Sequence, residues 1–482
     1  MNSSDDSTPH DNALPHDDSG SPAGHRPSIG IAIIPLISLI IFLYILLRVF
    51  EISDPHLAIV FGTGVAVIVA LIQGYKWSDL EDGLVEGIQI GLKAVLILMV
   101  VGMLIATWIA AGVVPLMIDY GLALMHPSYF YVAGCAICAV VSMATGSSWT
   151  TAGTVGVALI GVAQGLGLSE AIAAGAIVSG AYFGDKLSPL SDSTNLAPAV
   201  AGSELFSHIR HMLYTTIPSI TVSLIIYALI GFFSDRATAE LESVNQIRAT
   251  LAGHFNLSPW LLVAPVIVVV MVWRKLPALP ALFAASLIGI VMGVIFQETP
   301  VRDMMNYAFA GYSSGTGVAE VDDLLNKGGL SEMMWTVSLI FCALGFGGVM
   351  MKSRMLEAIA LGILRFATNP WKLVGATNLS CVVMNLATAD QYLAIAVPGK
   401  MFRQAYSRMG LAAKNLSRSL EDAGTLTSPL VFWNTCGATM RQYLGVDPMT
   451  YAPFAFFNWL SPIFSVVMAF FGWGLHKSDQ EK

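Results

Sequence analysis

Asp185, Lys186 and Asp192 fall within residues 180–198, GAYFGDKLSPLSDSTNLAP, inside a run of Ala, Gly, Ile and Val apolar enough to sit in a membrane. Ser188, Ser191, Ser193, Thr194 and Asn195 crowd hydroxyl and amide oxygens into the same stretch. Ionised side chains at bilayer depth cost about 2.5–3.5 kcal/mol each on insertion scales, so three together need a function to explain them. Pro189 removes a backbone donor, and Gly184 loosens the helix before it. The pattern predicts a membrane helix broken at a cluster of oxygen ligands. Carboxylate, hydroxyl, amide and freed carbonyl oxygens suit a hard cation such as Na+. A carboxylate shielded from water also keeps a proton more readily. One carboxylate occupied by turns by Na+ and H+ is the smallest device for exchange.

Three other stretches offer the same chemistry. Residues 144–153, ATGSSWTTAG, supply Ser147, Ser148 and Thr150. Residues 385–392, NLATADQY, supply Asn385, Thr388 and Asp390. Residues 425–435, TLTSPLVFWNT, supply Thr427, Ser428 and Asn434, with Glu421 and Asp422 just before them. Asp192 and Asp390 each stand alone among hydroxyls and amides and are the leading ion carriers. Na+ is expected at Asp192, Asp390 and Asn195, while Asp185 shares the ion or tunes the site. Ser193 and Thr194 add oxygens beside them. Neighbours on a helix point apart, so Lys186 is not assured of pairing with Asp185; it neutralises the site or snorkels. Glu421 and Asp422 read equally well as the solvated first turn of a helix. His208 and His211, one turn apart, read as a surface pair at a cytoplasmic helix end. The hydroxyls also suit capping of half-helix ends.

The elements that must position these residues are membrane helices. The chain is 55% hydrophobic and 12% charged, with a mean hydropathy of +0.69; soluble domains carry about twice that share of charge. Apolar spans are expected near 29–49, 56–73, 91–113, 168–202 and 212–233, and again near 258–273, 277–297, 331–351, 416–441 and 452–474. Gly83, Gly87 and Gly91 lead into the third span, and small residues at every fourth position let helices approach closely. The halves share residues at offsets near 240–245: Ala144-Thr145 with Ala387-Thr388, Ser188-Pro189-Leu190 with Ser428-Pro429-Leu430, and Asn195 with Asn434. Such a period indicates a duplicated unit.

Charge placement sets the topology. If 129–163 and 373–399 are re-entrant hairpins, the basic loops 352–372 and 400–418 both face the cytoplasm, as the positive-inside rule requires. Each half then holds an odd number of spans and is inverted relative to the other. The expectation is an all-α membrane protein of two inverted-topology repeats, each of about five transmembrane helices plus a re-entrant hairpin, with broken helices at the midplane. Its parts are a disordered cytoplasmic tail (1–28), a first repeat (29–235), an external linker (236–257), a second repeat (258–476) and a cytoplasmic C-terminus (477–482). Both termini face the cytoplasm.

Other classes find little support. Lys and Arg do not cluster with aromatics, which argues against nucleic acid as a partner. The first 28 residues are polar and acidic, unlike a cleavable signal. Cys135 and Cys138 lie in an apolar arm with no second pair nearby and read as packing residues. An intramembrane aspartyl protease would carry GxGD, where this chain has Tyr182-Phe183-Gly184-Asp185, and no HExxH or GxSxG occurs. No enzyme activity and no cofactor are expected.

GDKLSPLSDSTNLAP resembles the signature of the NhaC family of Na+/H+ antiporters, as do residues 327–348, KGGLSEMMWTVSLIFCALGFGG, and the repeated TSPL. The similarity runs from about residue 30 to 475. It implies a secondary transporter of the ion transporter superfamily in a bacterial inner (plasma) membrane, in folds that use paired hairpins and often form homodimers. Na+ and H+ are the implied partners, with Li+ beside them. The function expected is exchange of cytoplasmic Na+ for external H+ by alternating access. Relatives also exchange malate and lactate or move amino acids, so coupled transport of a small organic solute is the alternative. No Arg is expected at mid-membrane to clamp an anion, which tilts the balance towards a cation.

Overall fold

The computed structural model describes residues 26–52, 54–233, 241–274 and 276–478. Most of the tail expected to be disordered lies outside them, as do the first residues of the expected linker. The described residues are helical; their one β-like pairing is an isolated bridge between Leu411 and Lys477.

Two apolar helices, α1 (Ile29–Tyr44) and α2 (His56–Ile72), open the chain and pack on each other. Helix α3 (Trp77–Ala110) has 34 residues, about 51 Å at 1.5 Å per residue. That exceeds a hydrocarbon core of about 30 Å, and its first turns carry the acidic Asp79, Asp82 and Glu86. After α4 (Val113–Leu124), helix α5 (Pro127–Thr145) turns sharply into α6 (Ser148–Thr151) and α7 (Val157–Gly165). Helix α8 (Glu170–Leu187) breaks before α9 (Asp192–Ala201), and α10 (Leu205–Phe233) ends the half. Helices α5, α6 and α7 all lie against α8.

The second half runs through α11 (Leu241–His254), α12 (Val263–Trp273), α13 (Ala278–Phe296), α14 (Val301–Ala310), α15 (Ala319–Leu325), α16 (Met333–Lys352) and α17 (Met355–Leu364). Helix α18 (Pro370–Thr388) then turns into α19 (Gln391–Arg408), which packs back along it. Helix α20 (Ala413–Leu420) continues as a π-helical turn, Glu421–Thr425, and a short 3-10 turn, Ser428–Leu430. Helices α21 (Thr435–Leu444), α22 (Pro448–Tyr451) and α23 (Phe456–Phe470) follow.

The duplication is written in the backbone at a spacing of 243 residues. Helix starts repeat from Pro127 to Pro370, Ser148 to Gln391, Glu170 to Ala413 and Asp192 to Thr435. Left-handed residues repeat from Gly146 to Ala389, Gly167 to Gly410 and Gly202 to Gly445. This spacing corrects two of the expected matches: Asn434 corresponds to Ser191, not Asn195, and both cap the helix after a break. The two Ser-Pro-Leu triplets sit three residues out of step because the second break is built differently.

Six described helices are long and apolar enough to cross a membrane, and two bent pairs qualify if each counts as one span. The broken segments α8–α9 and α20–α21 do not qualify, because charged residues and helix ends interrupt them. The expected linker contains α11, whose Arg248 Nε donates to Asp119 Oδ1 of α4 at 2.7 Å.

Helices α3 and α16 meet along the glycine row. A methyl group built on Gly87 would stand 2.7 Å from Gly348 Cα, and one on Gly83 would stand 3.1 Å from Gly348 O. No side chain fits between such backbones. Gly87→Leu should therefore lower the unfolding midpoint of the detergent-purified protein, at a cost of about 1–3 kcal/mol for overpacking. Gly64→Leu, with nothing within 4 Å of its new Cβ, should leave the midpoint unchanged.

Candidate functional site

The first break forms where the α5–α6 tip meets the end of α8. Gly146 takes a left-handed φ of 68° and packs on Leu190, so the chain reverses against the break itself. Ser148 then donates from its hydroxyl (2.6 Å) and its backbone N–H (3.2 Å) to Asp185 Oδ2. Both donors hold that one oxygen against the tip. The Thr194 hydroxyl donates to the carbonyls of Lys186 (3.1 Å) and Asp185 (3.2 Å) at the end of α8, the latter also accepting from Ser188 N at 3.1 Å. Asn195 Nδ2 donates to the carbonyls of Pro189 (2.9 Å) and Ser191 (2.7 Å). Ser147 caps α6 through Thr150, and Ser193 shares a hydrogen bond with Ser191. These last three serve the backbone of the tip and the break.

Lys186 points the other way. Its Nζ pairs with Asp422 Oδ1 and donates to Ser461 Oγ at 3.0 Å, and the side chains of Lys186 and Asp422 are both 0% exposed. The same Asp422 oxygen accepts from Thr215 Oγ1 (2.8 Å) and Ser461 Oγ (3.0 Å). Arg418 Nε lies 3.8 Å from Asp422 Oδ2, and another guanidinium nitrogen donates to Gly474 O at 2.7 Å. Glu421 and Asp422 are thus no solvated first turn: they continue α20 inside the protein. Arg418, assigned from sequence to a cytoplasmic loop, is buried there too. Charges removed from water survive only when paired, and Lys186 is where the first break supplies a partner to the second.

The second tip carries Asp390. After left-handed Ala389 it caps α19, accepting from Leu393 N at 2.9 Å, and is 2% exposed. Behind it, Asn385 Nδ2 donates to Gly424 O (2.8 Å) and Thr427 Oγ1 (2.9 Å), and Asn434 Nδ2 reaches Asn385. Ser428 Oγ donates to Gln391 Oε1 at 3.0 Å. Thr388 returns its hydroxyl to Met384 O of its own helix. Tip and break are tied together in both halves, with different side chains.

Asp192 is the main departure from expectation. It is not alone among hydroxyls and amides: Lys93 Nζ of α3 lies 2.9 Å from its Oδ2. Nor is it buried, since its side chain is 61% exposed. As the first residue of α9 it projects from the break towards α3, and nothing local in sequence reveals that a lysine 99 positions away will meet it. His208 and His211 also differ from the surface pair expected. Both are buried where α10 packs on α20, with His208 Nδ1 2.8 Å from Ser417 Oγ and the His211 ring 4.8 Å from that of His476. A separate cavity of about 410 Å³, lined by Asp54, Lys327, Glu332, Trp335, Arg441 and Gln442, holds none of the candidate ion ligands.

The family model described as "Na+/H+ antiporter family" matches residues 180–473, which include both breaks and the second tip. The Na+/H+ antiporter NhaC of Alkalihalophilus pseudofirmus is 40% identical over 427 residues, covering 88% of this chain and 92% of that protein. The chain belongs to this antiporter family. Two further members of similar distance carry other names. The malate-2H+/Na+-lactate antiporter of Bacillus subtilis is 36% identical, covering 86% of this chain and 89% of its own. The arginine/ornithine antiporter ArcD of Halobacterium salinarum is also 36% identical, covering 95% of both. Relatives of similar distance to this chain thus carry names with different cargoes.

The antiporter's buried pair can be tested through its energetics. Lys186→Met leaves Asp422 with Arg418 as its only charged partner and should cost about 3–5 kcal/mol of stability, as removal of one member of a buried pair does. Lys186→Met combined with Asp422→Leu should recover part of that loss, because Arg418 then keeps only its bond to Gly474 O. Chemical unfolding of the single and double variants in detergent measures both effects.

Proposed function

We propose that this antiporter exchanges cytoplasmic Na+ for external H+ across a bacterial plasma membrane by alternating access. The observation that carries the proposal is the Asp192–Lys93 pair at the break between α8 and α9. There a carboxylate in a membrane segment already holds one monovalent cation at 2.9 Å, in a position open enough to exchange it. Na+ arriving at Asp192 takes the place of the ammonium. Both donors of Asn195 are engaged by backbone, which leaves its carbonyl oxygen for the ion. Asp390 adds a second carboxylate from the opposite half, and Asp185, held by Ser148, sets the field between them.

The scaffold proposed around this site has ten spans, two opposed hairpins and both termini in the cytoplasm. Spacing of 243 residues between equivalent elements supports two copies of one unit; the placement of Lys and Arg supports their inversion. The family resemblance extends the proposal to Li+ as a competing cation and to a homodimer.

A second reading, exchange of a small organic anion or amino acid with Na+ or H+, is favoured by the same lysine. The side chain of Lys93 is 70% exposed and could receive a substrate carboxylate. The names of the malate/lactate and arginine/ornithine relatives point the same way.

Vesicles with an acid interior and a pH dye separate the two. Dye recovery on adding Na+ alone is the expected result; recovery only with malate, lactate or arginine establishes the second reading. Asp192→Asn and Asp390→Asn should each abolish the response in protein that still inserts, and full activity in either variant removes that residue from the site. For topology, cysteine at exposed Leu124 should react with an impermeant reagent from outside, and cysteine at exposed Ser407 should not.

A further inference from the structure

The ionic cluster between the two breaks contains a carboxylate that the exchange site does not use. Glu421 opens the π-helical turn and is 0% exposed, yet neither of its carboxylate oxygens makes a hydrogen bond. The hydroxyl of Thr425, at the other end of the same turn, is also buried without a partner. Buried polar atoms are almost always satisfied, so the orphaned oxygens of Glu421, of Thr425 and of Asp422 (Oδ2) on one turn indicate a ligand site. Turns of this kind, inserted into α-helices, concentrate at functional positions.

Most of the groups facing Glu421 are committed elsewhere. From α8, Asp185 takes the donors of Ser148, and Lys186 pairs with Asp422. From its own segment, Arg418 donates to Gly474 O and lies 3.8 Å from Asp422, while its Nε and Nη2 make no hydrogen bond. Helix α18 presents the buried thiol of Cys381, α23 presents the uncharged Asn458 and Ser461, and α19 meets the turn with Ala394 and Ile395. Ser193 of α9 hydrogen-bonds Ser191. With His208 and His211 of α10 uncharged, Asp185, Glu421 and Asp422 are three potential anions against Lys186 and Arg418 as two cations. The cluster is one positive charge short, and around Glu421 only the uncharged hydroxyls of Thr425 and Ser193 come within reach of the carboxylate. A carboxylate left ionised in that state is not tolerated in a dry interior.

We propose that Glu421 and Thr425 form a buried site for one monovalent cation, taken as H+ or as Na+, distinct from Asp192 and Asp390. The proposal rests on the exchange reading and gives it a second ion: the cluster is neutral only while the site is filled. Since Lys186–Asp422 bridges the two breaks, filling and emptying Glu421 alters the charge balance at the contact between the halves.

The test uses full-length Glu421→Gln and Thr425→Val, purified and reconstituted beside wild type. Glu421→Gln should reduce Na+-driven proton flux at least tenfold while the protein unfolds no earlier than wild type. If the ion is Na+, equilibrium binding of radioactive sodium falls by one ion per protein. If it is H+, sodium capacity is unchanged and the apparent Na+ affinity loses its dependence on pH. Thr425→Val should weaken the same parameter severalfold. A folded Glu421→Gln with wild-type flux, sodium capacity and pH profile overturns the site; should that variant not fold, an unaltered Thr425→Val overturns it. Wild-type vesicles lacking any Na+-driven proton flux would defeat the exchange reading instead, and sodium binding by the two variants would still decide the site.

Discussion

A lysine and an aspartate that no solvent reaches join the break in one half of the chain to the break in the other. Lys186 and Asp422 must stay together, because either charge alone in that interior is untenable. Much of the surrounding architecture follows from that requirement. Thr215 and Ser461 bring hydroxyls to the pair from α10 and α23. Arg418 is drawn inside with its helix, and Gly474 beyond α23 supplies a carbonyl for the guanidinium. The pair also fixes which way Lys186 points, and so leaves Asp185 to the tip at Ser148.

The two halves solve one geometric problem with different side chains. Each tip turns through a left-handed residue, Gly146 or Ala389, and then caps the returning helix with a polar side chain, Ser147 or Asp390. Each break is closed by a capping residue, Ser191 or Asn434. The caps are the sites where chemistry can vary without changing the backbone, since a hydroxyl, an amide or a carboxylate oxygen accepts the same N–H. A carboxylate at the second tip therefore adds charge at no cost to the turn.

Close backbone contact is the other constraint. Helix α3 lies against α16 through glycines, which holds the helix carrying Lys93 at a set depth beside the first break. Lys93 follows directly from that row, two residues after Gly91, and its ammonium is delivered to Asp192 rather than to lipid. Packing with no room for side chains thus places a charge where ion chemistry needs it.

Composition and local pattern were enough to establish a helical membrane protein, two broken segments, two polar tips and the antiporter family, because each is carried by residues within a turn or two of one another. Proline, glycine and clustered hydroxyls disrupt a helix wherever it is packed. Partners across the fold were another matter. Lys186 finds Asp422 at a separation of 236 residues and Lys93 finds Asp192 at 99, and neither spacing leaves a periodic trace. The burial of Glu421, Asp422, Arg418, His208 and His211 was equally hidden, since a polar helix end looks the same whether it meets water or protein. Only the packing of α20 between α10, α18 and α19 decided it: desolvation is a property of the whole fold, whereas a break in a helix belongs to the few residues that make it.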